Sequence, residues 1–253
     1  MKNNLNKVLA VAAVAAAFPW MYAASAANIG FVVGSDGVID KPFDTGWVTR
    51  LTSQGHTVTP FAQTTAASSP SLAAMNLFII SADVSSATVQ GGVGLNQPQP
   101  YITYEYGIYD ELFGGASGAL AGGANNIVIL NSASPLAAGL SGTVSVYTGT
   151  GDSSRVIGPH GAGAQVIAES AIASGNDNLL VLEAGQQGGI VGTTWPSRRI
   201  AVPVYDTWDP ALVTADGWKL LDAAVAYAIV PEPSSVALLG LGLATLLARH
   251  RAR

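Results

Sequence analysis

Asn28-Ile29-Gly30-Phe31-Val32-Val33-Gly34 is the stretch on which the fold turns. It carries no charge, and β-branched and aromatic residues fill the space between its glycines. It reads as a buried strand at the very start of the domain. The residues after it fit that reading. Residues 41–54 have helical spacing at Trp47, Val48 and Leu51. Pro42 suits the first turn of that helix, and Gly55 suits the left-handed residue just beyond its end. Residues 56–61 alternate as a second strand. Residues 68–75 read as a short helix, with Ser69 as its cap ahead of Pro70. Asn76-Leu77-Phe78-Ile79-Ile80-Ser81 is again a continuous apolar strand. Residues 101–104 form another short strand, 106–113 a helix meeting the Gly114-Gly115 break, and 127–130 a further buried strand. This alternation predicts an α/β fold, with right-handed crossovers and a mostly parallel sheet flanked by helices.

The second half is less regular. Residues 144–147, 165–169, 179–183 and 199–204 read as strands whose close spacing allows a short antiparallel extension at one end of the sheet. A last helix covers 214–229, with Trp218, Leu221, Val225 and Ala228 along one face. Thr214 can cap it, and Asp216 suits its N-terminal dipole.

Both ends of the chain carry addresses. Lys2 and Lys7 precede an uncharged Ala/Val run, and Ala24-Ser25-Ala26 and Ser25-Ala26-Ala27 both suit signal peptidase. Residues 1–27 are therefore expected to be a signal peptide. At the other end, Pro231-Glu232-Pro233 precedes an apolar run at 236–248 and then Arg249, Arg251 and Arg253. Each proline fixes φ and removes a donor, so the preceding helix should stop there. The run is shorter than the roughly 17–25 residues of a spanning helix, although Ser234 and Ser235 extend it. The basic flank suits the cytoplasmic side. A core helix is the alternative for this segment, but its uniform apolarity and terminal arginines argue against that. The order of triplet, apolar run and arginines resembles the PEP-CTERM sorting tail of Gram-negative bacteria. That resemblance implies export, transient insertion in the inner membrane, recognition by an exosortase, and delivery to the cell surface or beyond. The expected organisation is signal peptide 1–27, domain 28–229 and sorting tail 230–253.

Composition narrows the chemistry. The 253 residues include no cysteine, three histidines and 11% charged residues, with a net charge of −5. Disulfides, thiolate metal sites and a cysteine nucleophile are excluded. Lys2, Lys7, Arg249, Arg251 and Arg253 lie in the segments expected to be removed, which leaves the domain more acidic still. Nucleic acid is therefore a poor partner. A charge-poor surface rich in small residues suits an extracellular polymeric matrix or envelope setting, with polysaccharide as one partner class.

A second resemblance covers 28–229. The entry strand, Gln54-Gly55-His56-Thr57-Val58, the strand at 76–81 with Asp83 behind it, and the stretch Asn131-Ser132-Ala133-Ser134-Pro135-Leu136-Ala137-Ala138-Gly139-Leu140 are similar to the class I glutamine amidotransferase-like fold. So are Arg198-Arg199-Ile200-Ala201-Val202-Pro203 and 212–221. The resemblance implies a flavodoxin-like core. In catalytic members a cysteine occupies the turn from a central strand into a helix, where backbone N–H groups favour its thiolate. The matching turn here is Thr103-Tyr104-Glu105-Tyr106-Gly107, and Glu105 takes that place. Amidotransfer by the family chemistry is thus excluded. Glu105 has two readings, a ligand-facing carboxylate at the sheet edge or a cap for the following helix.

Other candidates are weaker. Asp152, Ser153, Ser154 and His160 offer a carboxylate, hydroxyls and a base, but the G-x-S-x-G surround is missing and His160 suits a loop. Asp36, Asp40 and Asp44 recur every four residues but lack a calcium-loop pattern, and they read as solvated loop charges. Tyr101, Tyr104, Tyr106, Tyr109, Trp195, Tyr205 and Trp208 could supply a glycan platform or the core. No metal or cofactor is called for. Three functions remain: a noncatalytic binding or scaffolding component, an extracellular hydrolase using Glu105, Asp152 and His160 on polysaccharide or peptide, or a small-ligand binder at the sheet edge.

Overall fold

The computed structural model describes residues 26–114, 117–123, 125–189 and 193–230. Residues 1–25 of the expected signal segment lie outside the described residues. So do the apolar run 236–248 and the sorting residues Pro231, Glu232, Pro233, Arg249, Arg251 and Arg253. Among the described residues no helix is long and apolar enough to cross a membrane.

The entry strand β1 (Asn28–Val33) pairs in parallel with β2 (Thr57–Ala62) on one side and β3 (Leu77–Ile80) on the other. Beyond β3, β4 (Tyr101–Thr103) and β11 (Arg199–Ala201) continue the parallel half, in the order β2-β1-β3-β4-β11. From β11 the sheet turns antiparallel through β10 (Asn176–Leu182), β9 (Gln165–Ser170), β6 (Asn126–Ile129) and the edge strand β7 (Gly142–Ser145). An arm of β5 (Ser117–Gly122) and β8 (Asp152–Ile157) joins the sheet where β8 meets the start of β10.

Strand alternation builds two cores. Ile29, Phe31 and Val33 of β1, with Ile79, Ile102 and Ile200 of its parallel neighbours, face α1 (Pro42–Ser53) and α5 (Ala215–Ile229). Val32, Phe78, Ile80, Tyr101 and Ala201 face the opposite way, toward α2 (Pro70–Ala73), α3 (Ser86–Gly91), α4 (Tyr109–Phe113) and the arm. Gly30 is required in β1 because a Cβ there would stand 2.5 Å from the Phe78 ring. On the first face Phe43 lies within 5.6–6.2 Å, ring centre to ring centre, of Trp47, Tyr104, Trp208 and Trp218. It thereby ties α1 to β4, to the segment after β11 and to α5.

Several local expectations hold. Pro42 opens α1, Gly55 has φ +90, and the Thr214 hydroxyl accepts from Gly217 N at 2.9 Å to cap α5. Others need correction. Ser69 occupies the cap position of α2, but its hydroxyl contacts Ser71 Oγ rather than a helix N–H. The 106–113 helix is a 3-10 turn at Tyr106–Ile108 followed by α4. The strand expected at 127–130 is β6 at Asn126–Ile129, antiparallel beside the edge strand, with Ile127 and Ile129 buried and Leu130 exposed just beyond it. The strand expected at 199–204 covers only Arg199–Ala201; it pairs antiparallel with β10, as its spacing suggests, but parallel with β4 on its other side, so it also completes the parallel half. The β5 half of the arm has no sequence signature, because Ser, Gly and Ala have weak strand propensity.

Candidate functional site

Four chain segments bring polar side chains to the carboxyl edge of the parallel half. At the end of β1, Gly34 N donates to Asp83 Oδ2 at 3.0 Å, and Lys41 Nζ lies 2.9 Å from Asp83 Oδ1. At the end of β3, the Ser81 hydroxyl donates to Asp44 Oδ2 at 2.7 Å and accepts from Asp83 N at 3.0 Å. At the end of β4, Tyr104 turns inward and its hydroxyl donates to Asp44 Oδ1. Glu105 is the next residue. Its N–H donates to Thr103 Oγ1 at 3.1 Å, and its Oε1 accepts from Gly107 N at 2.8 Å. Beyond β11 come Tyr205 and Asp206, pinned to α1 by a 3.1 Å bond from Phe43 N to Asp206 O.

This edge is an acid cluster with little opposing charge. Asp44, fully buried in the first turn of α1, is pushed up to about 7 by burial, against the hydrogen bonds from Ser81 and Tyr104 that favour its ionised form. Glu105, 6% exposed, is likewise pushed up to about 7 by burial, with a smaller push from Asp206 and an opposing pull from Gly107 N. Asp206 is raised by burial and by Asp83, and lowered by Lys41. Asp206 Oδ1 is sealed from solvent with no hydrogen-bond partner among the described residues. Tyr205 is raised to about 12 by its own burial and by the neighbouring Asp206. Neutral carboxyls at this edge would both donate and accept hydrogen bonds near pH 7, and a carboxyl titrating there is suited to proton transfer.

The aromatic candidates separate cleanly. Tyr101, Tyr104, Tyr109, Trp195 and Trp208 are core residues. Tyr106 and Tyr205 remain half-buried, with ring centres 6.5 Å apart, and flank Glu105 and Asp206. The expectation for Asp44 needs correction, because it is a fully buried hydrogen-bonded carboxyl rather than a solvated loop charge. Asp36 caps the Val38 N–H and Asp40 sits 3.6 Å from Lys41, so the three aspartates do not act together. Among the described residues no group of three or more acids or histidines could hold a metal ion.

Asp152 and His160 flank opposite ends of β8. The five residue-to-residue steps of this six-residue strand, at about 3.3 Å each, put about 17 Å between its ends. The Asp152 carbonyl accepts from Trp208 Nε1. His160 Nε2 instead pairs with Asp177 Oδ2. Ser153 and Ser154 are fully buried. Asn178 Nδ2 donates to Ser153 Oγ at 3.4 Å, and the Ser154 hydroxyl donates to the Tyr104 carbonyl. Sequence reasoning misses Asp206 and Lys41. The only signal for Asp206 is its position just beyond a parallel strand, and it becomes legible only once β11 is known to be parallel.

A family model described as the PEP-CTERM protein-sorting motif matches residues 230–252. The motif starts one residue beyond α5, and it implies an exported, surface-sorted protein recognised by an exosortase. No curated protein matches the chain.

Proposed function

We propose that residues 28–229 form a noncatalytic, class I amidotransferase-like domain. It acts as a binding or scaffolding component of the cell envelope or extracellular polymeric matrix, after removal of a signal peptide at 1–27 and sorting through 230–253. The order β2-β1-β3-β4-β11 supports the flavodoxin-like part of this reading, being the 2-1-3-4-5 order of that fold. The observation that carries it is Glu105. It stands on the turn after β4, where catalytic relatives hold a cysteine, and its carboxyl caps Gly107 N in a chain without cysteine. The half-buried pair Tyr106 and Tyr205 over Glu105 and Asp206 gives the domain a face for a small polar ligand or a polysaccharide segment.

The test has two parts. Purified protein should show no glutaminase, peptidase or esterase turnover above that of Glu105→Ala. In cells, the protein should fractionate with the polymeric matrix, and Asp206→Asn with Tyr205→Ala should release it into the medium. Turnover lost in Glu105→Ala would refute the noncatalytic reading.

One observation favours a second reading, an extracellular hydrolase with a rebuilt site. Glu105 and Asp206 are carboxyls raised by burial at the ends of adjacent parallel strands, and paired carboxyls are the machinery of glycoside cleavage. New reducing ends released from the matrix polysaccharide, and abolished by Glu105→Gln, would establish it.

A further inference from the structure

Arg198, immediately before β11, is nearly fully buried and reaches the end of the last helix. Its Nη1 donates to Tyr227 O at 2.6 Å and to Val230 O at 2.9 Å. Its Nε donates to Glu183 Oε2 at 2.6 Å, and the Tyr227 hydroxyl donates to Glu183 Oε1 at 2.5 Å. The guanidinium lies 4.2 Å from the centre of the Tyr227 ring. Helix C-termini leave carbonyls without intrahelical partners and favour a cation. The last turn of α5 has no basic residue of its own, and Val230 follows in extended backbone, φ −73 and ψ 129. The cation therefore comes from the sheet, on a residue fixed by the carboxylate just past β10.

Val230 is also the first residue of the matched sorting motif. Between it and the apolar run that starts at Val236 the chain can span no more than about 22 Å, at 3.3–3.6 Å per residue. Slack at the end of α5 would therefore shift the point from which the motif begins.

We propose that Arg198, held by Glu183 and Tyr227, is a positioning residue for the sorting reaction. It fixes Val230, the point at which the motif leaves the domain. Without Arg198 the carbonyls of Tyr227 and Val230 lose the hydrogen bonds that its Nη1 gives them, and the end of α5 is held less firmly. This inference rests on the sorting motif and is independent of what the Glu105 face binds.

The test is the ratio of unprocessed to processed chain in a host with a working exosortase. It compares wild type, Arg198→Ala and Arg198→Lys, each with and without a flexible Gly-Ser spacer after Val230. Arg198→Ala should raise the ratio severalfold. Arg198→Lys should raise it less, since an ammonium cannot hold Glu183 and two carbonyls in the same planar geometry. The spacer, which uncouples the motif from the domain, should raise it alone and leave Arg198→Ala with no further effect. Thermal unfolding of each chain reports the fold separately. Wild-type processing in a folded Arg198→Ala chain would overturn the proposal, as would an Arg198→Ala effect that persists undiminished on top of the spacer. If Arg198→Ala does not fold, the Arg198→Lys pair carries the same comparison.

Discussion

Replacing Asp44 by Asn should change how the stability of this protein depends on pH. Asp44, in the first turn of α1, is fully buried between the Ser81 and Tyr104 hydroxyls. Burial raises its carboxyl from 3.8 to about 7. The folded state thus holds a proton that the unfolded state has lost between those values, and stability falls as pH rises across that window. The stabilising contribution is complete below about pH 4 and lost through pH 7. About three units at 1.36 kcal/mol each give about 4 kcal/mol, a large share of the 5–15 kcal/mol typical of a domain. Asn keeps the shape and stays neutral. Its oxygen accepts from Tyr104, and its amide can donate to Ser81 Oγ, which already accepts from Asp83 N. Urea unfolding followed by tryptophan fluorescence at pH 4, 5, 6, 7 and 8 would measure the effect. The two proteins should be similar near pH 4, with D44N gaining up to about 4 kcal/mol relative to wild type by pH 8. Parallel pH profiles would refute the reasoning, because they would mean that the two hydroxyl donors fully compensate the burial of the charge.

Glu105→Gln should show a smaller change of the same sign between about pH 4.5 and 7, read in the same unfolding series, because burial raises Glu105 to about 7. Phe43→Ala should cost about 3–5 kcal/mol by urea unfolding, since it empties the centre of the aromatic cluster joining α1, β4 and α5. Gly118→Ala should lower the thermal midpoint and weaken amide protection across 104–108, because a Cβ there would stand 1.6 Å from the Tyr106 carbonyl and push the arm off the Glu105 turn. Arg199→Lys should destabilise by about 2–4 kcal/mol in a urea titration, because the fully buried Arg199 guanidinium donates to the carbonyls of Leu95, Gln97, Gln99 and Ser197, a spread an ammonium cannot cover.

Much of the fold is legible because strands such as 28–34 and 76–81 are apolar without interruption, and because Pro42, Gly55 and Thr214 punctuate their helices by local chemistry. The arm is not legible. Its β5 strand, Ser-Gly-Ala-Leu-Ala-Gly, has little strand propensity of its own. It forms because β8 pairs with it and because Gly118 admits the Tyr106 carbonyl. The site is half legible. Glu105 stands out as the residue after a buried strand, but Asp44 looks like one of three evenly spaced surface acids. Only the packing of α1 on the sheet turns it inward.

The sequence by itself determined the alternation that makes an α/β sheet, the absence of thiol chemistry, and a sorting signal beginning at Val230. These are local patterns, or they hold regardless of folding. Tertiary structure decided that β11 is parallel to β4, which carries Asp206 to the same sheet edge as Glu105. It also decided that Arg198 reaches across to Tyr227 and Val230. Both depend on contacts between residues about 30 to 100 positions apart, and neither strand direction nor the reach of a buried arginine is written in the residues adjacent to it.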